Sequence, residues 1–169
     1  MNKAISLLLI ATICFSQVIA FSPPHYSQGD SRWGSEILGF GPATIRAAGC
    51  LLTSVSSMLA GIGIKVNGAV PNPSNMNAWL KAHQGFTGDD YMWYSIGALG
   101  LKFLGKDSNH SHAVNYLNQG KFVILNVNNG HHYVLATGVT STGFTVMDPG
   151  FSRTSYSFTE VVTSAIYSL

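Results

Sequence analysis

The chain has 169 residues, of which 46% are hydrophobic and only 9% charged, with a formal net charge of +2. That length holds one ordinary domain, and the charged share falls well below the roughly one quarter usual in soluble proteins. The few bases and acids are scattered without a basic run, which excludes nucleic-acid binding through phosphate contacts. Plentiful aliphatic and aromatic side chains exclude disorder.

Residues 1–20 read as a signal peptide. Lys3 supplies the positive start and Ala4 to Phe15 an apolar run too short to cross a bilayer. Val18-Ile19-Ala20 then forms a cleavage pattern ahead of Phe21. The expected destination is outside the cell or in the lumen of the secretory pathway, a digestive vacuole included, with no membrane attachment after cleavage. Cleavage removes Cys14 and leaves Cys50 as the one cysteine of a domain spanning residues 21–169, so no internal disulfide can form. A lone cysteine in an oxidising compartment is buried, paired with another molecule, or kept for its chemistry.

Phe21 to Pro42, rich in Gly, Pro and Ser, reads as an extended lead-in. From Cys50 to Leu59 the apolar residues Leu51, Leu52, Val55, Met58 and Leu59 follow a helical spacing closed by Gly61. Pro73-Ser74 opens a second helix carrying Met76, Trp79 and Leu80. A third helical patch is predicted from Tyr91 to Leu99 and a fourth from Ser111 to Asn118, stopped by Gly120. The period then changes. Phe122 to Val127 suits a buried strand, Asn128-Asn129-Gly130 a turn, His132 to Val139 and Phe144 to Met147 two more strands. Asp148-Pro149-Gly150 turns into a strand from Thr154 to Phe158, and Thr159 is placed to cap a last short helix. Helices followed by an antiparallel meander predict an α+β domain.

Cys50 follows Gly49 at the start of the first long helix, where free N–H groups and partial positive charge favour a thiolate. A small buried hydrophobe at the start of a core helix accounts for it equally well. A nucleophilic cysteine needs a base. His131 and His132 open a strand, so alternation points them to opposite faces, and only one can address a given cysteine. His25, His83, His110 and His112 fall in loops or at helix ends, and His110-x-His112 lacks a third ligand for a metal. Asp148 ends the strand after the His132 strand, near enough across a hairpin to orient an imidazole, although Asp-Pro-Gly also makes good turns on its own. Gln28 carries an amide able to donate to an oxyanion. Asn109-His110-Ser111 matches the N-glycosylation triplet.

Three motifs together resemble the C-thirty-nine-like peptidases, papain-like cysteine peptidases related to the bacteriocin-processing enzymes that remove double-glycine leaders. They are Tyr26-Ser27-Gln28-x-Asp30-x-Arg32-Trp33, Gly49-Cys50-x-x-Thr53-Ser54-x-x-x-Met58, and His132-Tyr133-Val134-Leu135-Ala136-Thr137-Gly138 with Val146-Met147-Asp148-Pro149. The resemblance implies a papain-like fold, with N-terminal helices packed on a C-terminal antiparallel sheet. It also implies Cys50 as nucleophile, His132 as base, Asp148 as its orienter and Gln28 as oxyanion donor. Leu51-Leu52 after the cysteine departs from the Gly-Pro of many members.

The function so implied is a secreted cysteine peptidase that hydrolyses peptide bonds through a thioester, monomeric, without metal or cofactor, and acting on a peptide or protein. Two alternatives stay open. A papain-fold acyltransferase or a cell-wall amidase uses the same triad, because transfer and hydrolysis differ only in what resolves the thioester. A binding module that keeps the fold without turnover is the other.

Overall fold

Phe122–Val127 forms strand β4, and all six of its residues are buried. A strand with no exposed face has to be covered on both sides, and the rest of the architecture follows from that requirement. The computed structural model describes residues 21–169. Its main sheet has six antiparallel strands. These are β3 (Lys102–Asp107), β4, β5 (His132–Val139), β6 (Gly143–Met147), β7 (Ser155–Ser157) and β8 (Thr163–Ser168), in the spatial order β3-β8-β4-β5-β6-β7. A separate two-stranded ribbon pairs β1 (Phe86–Thr87) with β2 (Asp90–Tyr91).

Alternation sorts the sheet residues into two cores. Phe122, Ile124, Leu135, Met147, Ala165 and Tyr167 face helices α2 (Cys50–Gly61) and α3 (Pro73–Ala82). Val123, Leu125, Val127, Val134, Ala136, Phe144, Val146, Tyr156 and Ile166 form the other core, where α4 (His110–Asn118) packs through Ala113. The sheet is thus the middle of three layers.

Helix α2 is buried from Leu52 to Leu59, its hydroxyl residues included. A helix surrounded by protein has to find partners for such polar groups internally, and its three serines do so while Thr53 Oγ1 is left without one. Ser56 donates to the Leu52 carbonyl at 2.7 Å and Ser54 to the Tyr133 carbonyl of β5 at 3.3 Å, while Ser57 donates to the Pro24 carbonyl of the lead-in. These bonds tie the helix to the sheet on one side and to the N-terminal segment on the other. The short helix α1 (Ile45–Ala48) precedes it, capped by the Thr44 side chain. Helix α3 starts on a reciprocal cap between Asn72 and Asn75, with Pro73 in its first turn.

Three expectations need correction. The stretch Tyr91 to Leu99 is not an α-helix: Tyr91 ends β2, and only Ser95–Leu99 winds as a 3₁₀ turn, closed by Gly100 at φ 90°. Trp93 and Tyr94 form a turn instead, which lets Trp93 pack inward at 5.6 Å from Tyr91 and 5.7 Å from Tyr133 between ring centroids while Tyr94 stays exposed. Thr159 caps no helix. It sits inside a 3₁₀ turn, Phe158–Glu160, whose cap is Ser157, and the chain ends in β8 instead. Ala165 and Tyr167 serve one core and Ile166 the other, the alternation of a strand covered on both faces. The sheet is therefore more than a meander, since β8 inserts between β4 and β3. Strand β3 escapes a hydrophobicity reading because it is an edge: Lys102 and Lys106 lie along it, and its register shifts between Phe103 and Gly105. Charge and a bulge are how edges avoid further pairing.

Candidate active site

Cys50 is the first residue of α2, and Gly49 before it offers no side-chain cap to the N–H groups of that first turn. The cleft holds about 910 Å³ and is lined by the Ser27–Asp30 segment, α1 residues 46–48, Cys50, Asn128, His131, His132, Gly150 and Phe151. The four residues singled out from sequence, Gln28, Cys50, His132 and Asp148, converge here, three on the cleft wall and Asp148 behind His132.

His132 opens β5 and is 6% exposed, while Asp148, just beyond β6, is fully buried. His132 Nε2 and Asp148 Oδ1 are 2.7 Å apart. The sheet register explains why. Leu135 pairs with Met147, which sets Asp148 opposite Val134, diagonally adjacent to His132 on the same face. With Nε2 committed to the carboxylate, Nδ1 is the ring atom left for the sulfur of Cys50. Burial works against a charged imidazole here, but the hydrogen bond to Asp148 and the interaction with Cys50 outweigh it and carry the His132 pKa up to about 9. Desolvation pushes Asp148 the other way from its partners. Donors from His132, Tyr156 and the Gly150 N–H prevail and hold its pKa below the ordinary carboxylate value.

The Asp-Pro-Gly turn and the histidine partner prove to be one device. Asp148 Oδ1 also accepts the N–H groups of Gly150 at 2.9 Å and Phe151 at 3.0 Å, so the turn itself aims the carboxylate. Phe151 returns over the histidine with its ring edge-on, centroids 5.0 Å apart.

Gln28 is pinned from two sides. Its backbone N–H donates to the Pro149 carbonyl at 2.9 Å, and its Nε2 donates to the Arg46 carbonyl at 2.8 Å. One amide hydrogen is thereby committed, the amide plane is fixed, and the second hydrogen remains free. The Oε1 atom is buried without a partner, and it and the His132 ring both lie against Gly150.

The two adjacent histidines do not separate as alternation predicts. His131 lies before the strand, capping the 3₁₀ turn Asn128–Gly130, and both histidines line the cleft. What distinguishes them is burial and the carboxylate partner, since His131 is exposed. His110 and His112 diverge: His112 Nδ1 pairs with Asp107 at 2.8 Å, and His110 stacks on Phe158 at 4.8 Å. Sequence reasoning missed Tyr156, whose hydroxyl donates to Asp148 Oδ2 at 2.7 Å, and it missed Gly150 and Phe151. Only the Asp-Pro-Gly turn pointed toward the last two.

The model of the Peptidase_C39 like family matches residues 23–165, nearly the whole described chain. The chain belongs to this family. No curated protein and no solved structure matches it. Membership points to a peptidase of the cysteine type and so to peptide or protein substrates, and within this C39-like chain Cys50 is the one cysteine among the described residues.

Proposed function

We propose that this protein is a secreted cysteine peptidase of papain-like fold that hydrolyses peptide bonds through Cys50, His132 and Asp148, with Gln28 at the oxyanion. The observation that supports this reading is His132 lying between a buried carboxylate and a cysteine at a helix N-terminus, on the wall of a cleft of about 910 Å³.

In the proposed sequence, His132 takes the Cys50 proton and the resulting thiolate adds to the scissile carbonyl carbon. The carbonyl oxygen becomes an oxyanion between the Cys50 N–H and the free Nε2 hydrogen of Gln28. The imidazolium then gives its proton to the departing amine, the C–N bond breaks, and an acyl thioester is left on Cys50. Water, deprotonated by His132, attacks that thioester and returns the free thiol and a carboxylic acid. Asp148 balances the imidazolium at each charged stage and holds the tautomer that leaves Nδ1 facing the sulfur.

An acyltransferase would share every step but the last, and an amidase would share all of them on a different amide bond. Hydrolysis is preferred because the family points to peptidases. The reading also carries a chain that begins near Phe21 after signal cleavage, is released from the membrane, and acts as a monomer. Residues 1–20 lie outside the described residues. Incubating the secreted protein with a peptide library and sequencing the new termini by mass spectrometry tests the proposal. New carboxyl termini absent with Cys50→Ala are the expected result. A library left intact by a correctly folded protein contradicts it.

A further inference from the structure

Asp148 is a crowded acceptor with an uneven division of labour. Oδ1 receives His132 Nε2 and the N–H groups of Gly150 and Phe151, whereas Oδ2 receives the Tyr156 hydroxyl, at 2.7 Å. Tyr156 lies in β7, paired with Phe144 of β6, and is 1% exposed. Phenylalanine would fill that space, and burying a phenol oxygen is costly unless it is bonded. The ring is held independently of the hydroxyl. Arg153 lies over it at 3.8 Å from the centroid and is itself bonded to Glu160 at 2.9 Å.

We propose that Tyr156 is a positioning residue of this site: its hydroxyl fixes the Asp148 carboxylate and sets how strongly that carboxylate holds the proton of His132. The inference rests on the reading of His132 as the base, but its test does not require peptide cleavage.

A donor to a carboxylate disperses its charge and makes it less basic. Without the phenol, Oδ2 is left with no donor in a site closed to water, and the carboxylate draws the imidazolium proton more strongly. The charged and titratable groups around this point are His132 from β5, Asp148 after β6, Arg153 and Tyr156 from the β7 side, Glu160 from the following turn, and Cys50 from α2. Tyr156 is the member whose hydroxyl can be removed or strengthened without changing formal charge.

The experiment is an NMR titration of protein labelled at the histidine ring carbons, for wild type, Tyr156→Phe, and a protein with 3-fluorotyrosine placed at position 156. The fluorinated phenol is the stronger donor and keeps the packing. The His132 midpoint is expected to rise by about half a pH unit or more in Tyr156→Phe and to fall with fluorotyrosine. On a cleavable peptide, kcat should drop roughly 10- to 100-fold in Tyr156→Phe with KM little changed, the range for a lost hydrogen bond to a buried charge. An unmoved His132 midpoint in both proteins, or a shift of the same sign in both, overturns the proposal and leaves Tyr156 a packing residue. Should Tyr156→Phe fail to fold, the fluorotyrosine shift decides alone. Opposed shifts in a protein that cleaves no peptide would uphold the inference and count against the peptidase reading.

Discussion

A β-carbon on Gly150 would stand 2.9 Å from Cε1 of His132. It would also meet Oε1 of Gln28 at 3.3 Å. The glycine is therefore required by space, because it lets the Asp148 turn pass directly behind the imidazole. Gly150→Ala must displace the ring or the amide by a few tenths of an ångström. Small misplacements of reacting groups are costly in rate, so kcat/KM is expected to fall on the order of 100-fold with little change in melting temperature. Wild-type kinetics from a folded Gly150→Ala protein would show that the ring has slack the structure does not display.

Asp148 separates charge from orientation. In Asp148→Asn the remaining Oδ1 still accepts His132 Nε2 and the two turn N–H groups, but no charge balances the imidazolium, and partial loss of kcat/KM is expected. Asp148→Ala removes the acceptor of all four donors. Its loss should reach about 10²–10⁴-fold, accompanied by destabilisation of about 1–3 kcal/mol from the stranded buried donors. Steady-state kinetics and urea unfolding of both variants supply the check. Full activity in a folded Asp148→Ala protein would reduce the arrangement to a dyad.

Much of this is legible in the sequence. The helical spacing from Cys50 and the short continuous apolar run Phe122–Val127 are each a strong local signal, and they correspond to α2 and β4. Strands β3 and β8 are not legible. The first is an edge whose Lys residues and bulge mask its alternation. The second, with Ser and Ala among its residues, offers little hydrophobic contrast although it is central. Within the site, Cys50 stands out as the one cysteine of the domain, at a helix start, whereas His132, Asp148 and Gln28 are singled out by the resemblance of their motifs and not by a local signal of their own. Tyr156 does not stand out, since a tyrosine in a short strand ordinarily signals packing, and its bond to Asp148 depends on the register between β6 and β7, which the expected meander leaves open.

The adjacent histidines should behave unequally. His132→Ala is expected to abolish turnover, whereas His131→Ala, which removes an exposed cleft side chain without a carboxylate partner, should change KM more than kcat. Michaelis constants for both variants on one peptide decide this. An equal collapse of kcat in both, with folding intact, would mean that His131 shares the proton transfer.

His132 also ties stability to pH. Its pKa rises from 6.5 to about 9 on folding, so the native state binds its proton more tightly than the unfolded chain. That contribution is fully present below about 6.5 and is lost as pH rises through about 9. The urea midpoint of the wild type should decline across this window more steeply than that of His132→Gln. Parallel curves would contradict the ion pair with Asp148.

The central claim is that His132 activates Cys50, and the rate of Cys50 modification by a peptidyl epoxide, followed by intact-mass spectrometry, tests it most directly. The account predicts a single adduct on the wild type, none on Cys50→Ala, and labelling slowed about 100-fold or more in a folded His132→Ala protein, as loss of a positioned acid–base group requires. Labelling of His132→Ala at the wild-type rate would contradict it.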